Sequence, residues 1–169
     1  DLDCDFALAT SDVQGGIGSD PHNERILGPL DDSDLIQIAA GDLNGDGYED
    51  LIVTNLSGAL NEVQVYLGRP DIFEPEGPDI EFSQSGTSSS YGAALAIGDF
   101  NYDGIDDLVV GDPGYNSDEG RVWVYYGGST IDTNADHTLT PPGASTNWSF
   151  GFDLACGDHD GDGDDEIMV

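Results

Sequence analysis

Asp42-Leu43-Asn44-Gly45-Asp46-Gly47-Tyr48-Glu49-Asp50-Leu51-Ile52-Val53 decides the fold, because the same pattern returns twice without a gap. The second copy is Asp99-Phe100-Asn101-Tyr102-Asp103-Gly104-Ile105-Asp106-Asp107-Leu108-Val109-Val110. The third is Asp158-His159-Asp160-Gly161-Asp162-Gly163-Asp164-Asp165-Glu166-Ile167-Met168-Val169. Each follows a short run of small and apolar residues ending in Gly: Ala39-Ala40-Gly41, Ala96-Ile97-Gly98 and Ala155-Cys156-Gly157. The first acids stand 57 and 59 residues apart. Repetition at such a period marks a tandem array of supersecondary units.

A truncated fourth copy is read at the start, where Asp5-Phe6-Ala7-Leu8 aligns with Asp107-Leu108-Val109-Val110. It gives an incomplete loop with Asp1, Asp3 and Asp5 as candidate residues. Leu2 stands there where the other copies have Gly, and the step to the next copy is about 45 residues, short by about a strand.

Between the acidic stretches the pattern is that of strands. In the best-defined unit they are expected over residues 93–98, 108–110, 121–126 and 137–140, with the acidic loop as the first hairpin and a polar turn from Gly111 to Gly120. Gly and Pro punctuate the chain every few residues, and no window holds helical spacing for three turns. The predicted class is therefore all-β: about three four-stranded antiparallel blades, part of a larger propeller or assembly. The approximate units are 1–33 (partial), 34–90, 91–148 and 149–169 (partial). A single blade cannot bury its own faces, so neighbours must stack.

The acids account for the loops. The chain has 35 Asp and Glu against 3 Lys and Arg, a formal net charge of −32. Such a charge opposes compaction unless it is neutralised. It excludes nucleic acid as a partner, since phosphate binding needs cationic side chains, and no apolar run approaches a membrane span. Yet 37% of residues are hydrophobic and lie in β-rich runs, which argues against disorder. Each loop reads Asp-x-Asn/Asp-x-Asp-Gly-x-x-Asp/Glu. Side-chain oxygens at positions one, three and five converge on one cation when the chain coils tightly, and Gly at six permits the coil. The carbonyl at seven and the acid at nine complete roughly six or seven hard oxygen ligands, a set suited to Ca²⁺. The expected metal residues are Asp42, Asn44, Asp46, Tyr48 and Asp50; Asp99, Asn101, Asp103, Ile105 and Asp107; and Asp158, Asp160, Asp162, Asp164 and Glu166. That makes about three Ca²⁺ sites, with an incomplete fourth at Asp1, Asp3 and Asp5. An EF-hand would place Glu at position twelve and helices on both sides; here position twelve is Val53, Val110 and Val169, and β-type residues follow directly.

The chain resembles the FG-GAP repeat family. Phe150-Gly151 precedes Gly157-Asp158, Tyr91-Gly92 precedes Gly98-Asp99 at the same offset, and Gly111-Asp112-Pro113 stands where the family has Gly-Ala-Pro. The first full unit departs, with Asp34-Leu35 and Thr54-Asn55-Leu56 at those places. The resemblance implies a β-propeller like that of integrin α subunits and secreted bacterial proteins. It further implies structural calcium loops on one face and ligand-binding loops elsewhere.

No nucleophile elbow or His-Glu-x-x-His motif occurs. Gly15-Gly16-Ile17-Gly18 reads as a loop, and His22, His137 and His159 as surface residues. Trp123, Tyr125 and Tyr126 read as packing residues, and Trp148 as a candidate ligand-facing aromatic. Asn55 and Asn147 begin glycosylation sequons. Cys4 and Cys156 lie too far apart in an open arc for an intrachain bridge, leaving free thiols or a bridge between copies. The expected function is a non-enzymatic, extracellular or cell-surface recognition or adhesion module stabilised by calcium. It would bind a protein, a glycan or copies of itself, with no insertion into a membrane. The alternatives are a subunit polymerising into a filament or coat, and an accessory propeller of a larger secreted enzyme. Any leader is expected to have been removed or to lie upstream.

Overall fold

The computed structural model describes residues 37–55, 61–69, 78–83, 90–143, 147–163 and 165–169. The N-terminal partial unit, with Asp1, Asp3, Asp5, Cys4, His22 and the Gly15–Gly18 run, lies outside them, as does Asp164.

The strands form two complete four-stranded antiparallel sheets in simple meander order. The first holds β1 (Ile38–Gly41), β2 (Asp50–Asn55), β3 (Glu62–Tyr66) and β4 (Ile80–Ser83). The second holds β5 (Ala94–Gly98), β6 (Asp107–Asp112), β7 (Arg121–Tyr125) and β8 (His137–Leu139). A third sheet pairs β9 (Ala155–Gly157) with β10 (Glu166–Met168). The chain is all-β, with sheets of the propeller-blade type. Each acidic loop is the hairpin between the first two strands of its sheet. Its register is closed by Gly41 opposite Asp50, Gly98 opposite Asp107 and Gly157 opposite Glu166.

The sheets stack through β1, β5 and β9, each in contact with the next. β6 shows why the sequence has so many apolar runs. All six of its residues are buried, because a blade is covered on both faces, and such strands read as continuous hydrophobic stretches. Their alternation survives in the packing. Leu108 and Val110 join Leu43, Ile52, Val63, Val65, Phe82, Tyr91 and Tyr125 in the core between the first and second sheets. Val109 points the other way and packs with Ala96, Val122 and Val124, against Phe150, Leu154 and Ile167 of the next unit. Tyr125 is buried as expected, and Trp123 and Tyr126 pack on the two cores.

The paired dipeptides meet at the blade junctions. A methyl group on Gly111 would lie 2.1 Å from the Gly151 carbonyl oxygen, so this junction admits only glycine at that place. At the preceding junction the equivalent residue is Thr54, which is buried and donates its hydroxyl to the Gly92 carbonyl oxygen at 2.9 Å. The departure from glycine is thus matched by a hydrogen bond across the junction. The Tyr91 ring fills the core, and its hydroxyl lies 2.7 Å from that of Tyr125.

The polar turn after Gly114 is more ordered than its composition suggests. Residues Tyr115–Asp118 (α1) make one short turn in which Asn116, Ser117 and Asp118 have φ of 50°, 62° and 62°. These are left-handed conformations, tolerated best by short polar side chains that bond locally. The Tyr115 ring packs under the Arg121 guanidinium, 3.9 Å from its centroid.

Candidate metal centre

A hairpin loop this acidic must place its carboxylates somewhere, and in all three described loops the first carboxylate accepts two backbone N–H groups, one of them from position six. In the first, the Asp42 carboxylate accepts the N–H groups of Asp46 and Gly47 at 3.0 and 2.8 Å. In the second, Asp99 accepts those of Asp103 and Gly104 at 3.2 and 2.9 Å. In the third, Asp158 accepts those of Gly161 and Gly163 at 2.6 and 3.1 Å. The residue at position three repeats the turn on a smaller scale. Asn44, Asn101 and Asp160 each accept the N–H two residues on, from Asp46, Asp103 and Asp162. Asp46 and Asp103 accept in turn from Tyr48 and Ile105, both at 2.9 Å. Each loop thus coils on itself through these local bonds, and among the described residues it is the third whose acids gather closely enough to share an ion.

Two positions need left-handed backbone. Position six does so in all three loops, at Gly47, Gly104 and Gly163 (φ 87°, 82° and 101°). Position four does so as well, at Gly45, Tyr102 and Gly161 (φ 72°, 66° and 81°). Sequence reasoning identified the first and missed the second, whose signal was the glycine in two of three copies. Tyr102 adopts the conformation at a cost of about 1 kcal/mol, with its side chain in solvent.

Position nine is set deeper. Asp50 and Asp107 are fully buried. Asp50 accepts from Leu43 at 2.9 Å and from Gly68 at 2.8 Å. Asp107 accepts from Phe100 at 2.9 Å and Gly127 at 2.8 Å. Each acid thus ties its loop to the end of the third strand, a link not visible in the motif. In the third loop, Glu166 accepts from His159 at 2.7 Å. Burial pushes the Asp107 carboxyl up to about 6, and its two N–H bonds do not fully offset that. Asp50 is raised too, first by burial and then by the charges of Asp46 and Asp42. A carboxylate held in place against its own neighbours' charge is what a cation would relieve.

The donor set fits a hard cation. Asp158, Asp160 and Asp162 each offer a carboxylate oxygen, all within 4.8 Å of one another, and the cluster can hold a metal ion. In the other two loops Asn supplies the oxygen at position three. No sulfur or imidazole stands at a ligand position, so the chemistry is that of Ca²⁺ or Mg²⁺ rather than Zn²⁺. Among the other candidates, Asn147 and Trp148 are exposed, and the Asn55 side chain lies outside the described residues. Cys156 is a free thiol donating to the Ile97 carbonyl oxygen. Among the described residues no helix is long and apolar enough to cross a membrane.

Residues 42–110 match the model of the FG-GAP-like repeat family. The phosphatidylinositol-glycan-specific phospholipase D of Rattus norvegicus is 32% identical over 149 residues, covering 78% of this chain and 18% of that protein. Integrin alpha-8 of Mus musculus is 31% identical over 172 residues, 94% of this chain and 15% of the integrin. Integrin alpha-6 of Gallus gallus is 33% identical over 127 residues, 70% of this chain and 11% of the integrin. The chain spans less than a fifth of the length of these relatives. It carries FG-GAP-like repeats and is homologous to integrin α subunits.

Proposed function

We propose that this FG-GAP-repeat chain is a calcium-stabilised segment of an extracellular β-propeller, serving recognition or adhesion rather than catalysis. The observation that carries the reading is the shared geometry of the three loops. In each, the first carboxylate is anchored by two backbone N–H groups, and the side chain at position three accepts the N–H two residues on. Calcium fits better than magnesium because the irregular carboxylate, amide and carbonyl set suits a flexible shell of six to eight ligands. Each ion would neutralise several of the carboxylates whose repulsion opposes folding, so binding and stability are one free energy. We assign the units 34–90 and 91–148 as blades and 1–33 and 149–169 as partial blades. The partner we assign is a protein or glycan, as for an adhesion module related to integrins, and the exposed Trp148 and the sequon at Asn147 belong to that extracellular reading.

Isothermal titration with calcium tests it. The expected result is about three ions bound per chain, with dissociation constants in the range of extracellular modules, about 10⁻⁴ to 10⁻³ M or tighter. Asp103→Ala removes one of them. Absence of binding at millimolar calcium would overturn the reading.

A second reading is favoured by the likeness to phosphatidylinositol-glycan-specific phospholipase D: the chain is a non-catalytic propeller of a larger secreted enzyme. It predicts a hydrolase domain in the same reading frame, which sequencing the flanking frame detects.

A further inference from the structure

Position eight of the motif is not among the expected ligands, yet it is acidic in all three full copies: Glu49, Asp106 and Asp165. Asp106 reaches out of its own loop. Its carboxylate accepts the N–H of Asp42 at 2.8 Å, across 64 residues of sequence. Its own N–H donates to the Asp42 carbonyl oxygen at 3.2 Å. The two residues are thus joined by a reciprocal pair of hydrogen bonds, and Asp42 is the first ligand of the preceding loop. Gly127 and Gly128 reinforce the link. The N–H of Gly127 serves Asp107 at 2.8 Å, while that of Gly128 serves the Leu43 carbonyl oxygen at 2.8 Å. Position two of one loop and position nine of the next are therefore held by adjacent peptide groups.

The closeness of this acid to the preceding loop recurs at the next junction. A methyl group on Gly41 would lie 2.7 Å from the Asp106 carboxylate, and one on Gly98 would lie 2.5 Å from that of Asp165. Gly41 and Gly98, each standing before a first ligand, thus leave room for the acid of the following blade.

We propose that Asp106 is a positioning residue that couples the metal loops of adjacent blades, so that a cation in the second loop raises the affinity of the first. The proposal rests on the calcium reading above. A cation in the second loop fixes the residues on either side of Asp106, namely the carbonyl of Ile105 and the carboxylate of Asp107. That fixes the Asp106 carboxylate, which fixes the peptide group from which the Asp42 side chain projects. A ligand ordered in advance binds at lower cost, and by linkage the effect is reciprocal. The Asp106 charge, which belongs to one loop and touches the other, also offsets repulsion between neighbouring dications.

The test is a calcium titration of the whole chain followed by the amide resonances of Gly47 and Gly104. Each N–H is bonded to the first carboxylate of its loop, so the two report the first and second loops separately. Emptying the second loop with Asp103→Ala is expected to weaken binding at Gly47 by about tenfold. In an Asp106→Ala background the same change is expected to leave Gly47 unaffected. Asp106→Asn keeps an acceptor for the Asp42 N–H and is expected to retain the coupling. If Asp106→Ala does not fold, wild type, Asp103→Ala and Asp106→Asn still decide the matter. Calcium that shifts both resonances, with Gly47 indifferent to Asp103→Ala, overturns the coupling and leaves the calcium reading intact. Loss of coupling in Asp106→Asn overturns the role given to the hydrogen bond. Calcium that shifts neither resonance overturns the calcium reading, and the coupling with it.

Discussion

Asp107 carries opposing demands on one carboxyl group. Two backbone N–H groups favour its charge, while burial and the nearby Asp103 and Asp99 oppose it, and the balance lifts it from the usual 3.8 to about 6. The consequence for stability has a definite sign. Between about pH 4 and pH 6 the folded, metal-free chain binds more protons at this group than the unfolded chain does. Stability therefore falls as pH rises through that window. Asp50 is shifted in the same direction. Urea unfolding in a chelator is expected to show a higher midpoint at pH 5 than at pH 7. In millimolar calcium the order is expected to reverse, because protons and cation compete for the same oxygens. At this scale the motif made the left-handed turn at position six legible. Position four was not, because Tyr102 hides a backbone requirement that Gly45 and Gly161 reveal only by comparison. The second partners of position nine, Gly68 and Gly127, were hidden because they come from a strand many residues on.

The strands and hairpins were largely legible, since apolar runs bounded by turns define them without tertiary information. β5, β6, β7 and β8 lie within a few residues of their expected limits. The contacts between blades were less so. Phe150-Gly151 and Gly111 appeared as separate motifs, and only the structure puts the Gly151 carbonyl against Gly111. Nothing in Thr54 alone announced a cross-junction hydrogen bond to Gly92. The two junctions make contrasting predictions. Gly111→Ala forces a methyl group onto a backbone oxygen and is expected to cost about 1–3 kcal/mol. Thr54→Val keeps the volume and loses the hydrogen bond, for about 1–2 kcal/mol. Urea midpoints of the two variants in saturating calcium measure both. A Gly111→Ala variant as stable as wild type would contradict the junction geometry.

At the scale of the whole molecule, the three sheets of the described residues stack through their first strands, and the acidic hairpins of the first and second are hydrogen-bonded side by side. The repeat in the sequence foretold the hairpins at the three full copies and the order of strands around them, because both follow from local pattern. It did not foretell that neighbouring loops touch, because that depends on how blades are rotated against one another. A formal charge of −32 makes the metal-free state costly at this scale. Screening by salt and specific binding both relieve it, and only the second saturates. The decisive measurement is therefore the urea unfolding midpoint of the chain at pH 7 in millimolar calcium and in chelator, both at the same high ionic strength. A site with a dissociation constant of about 10⁻⁴ M, filled at about ten times that concentration, adds about 1.4 kcal/mol, so an upward shift summed over the sites is predicted in calcium. Superimposable curves in calcium and in chelator would contradict the account.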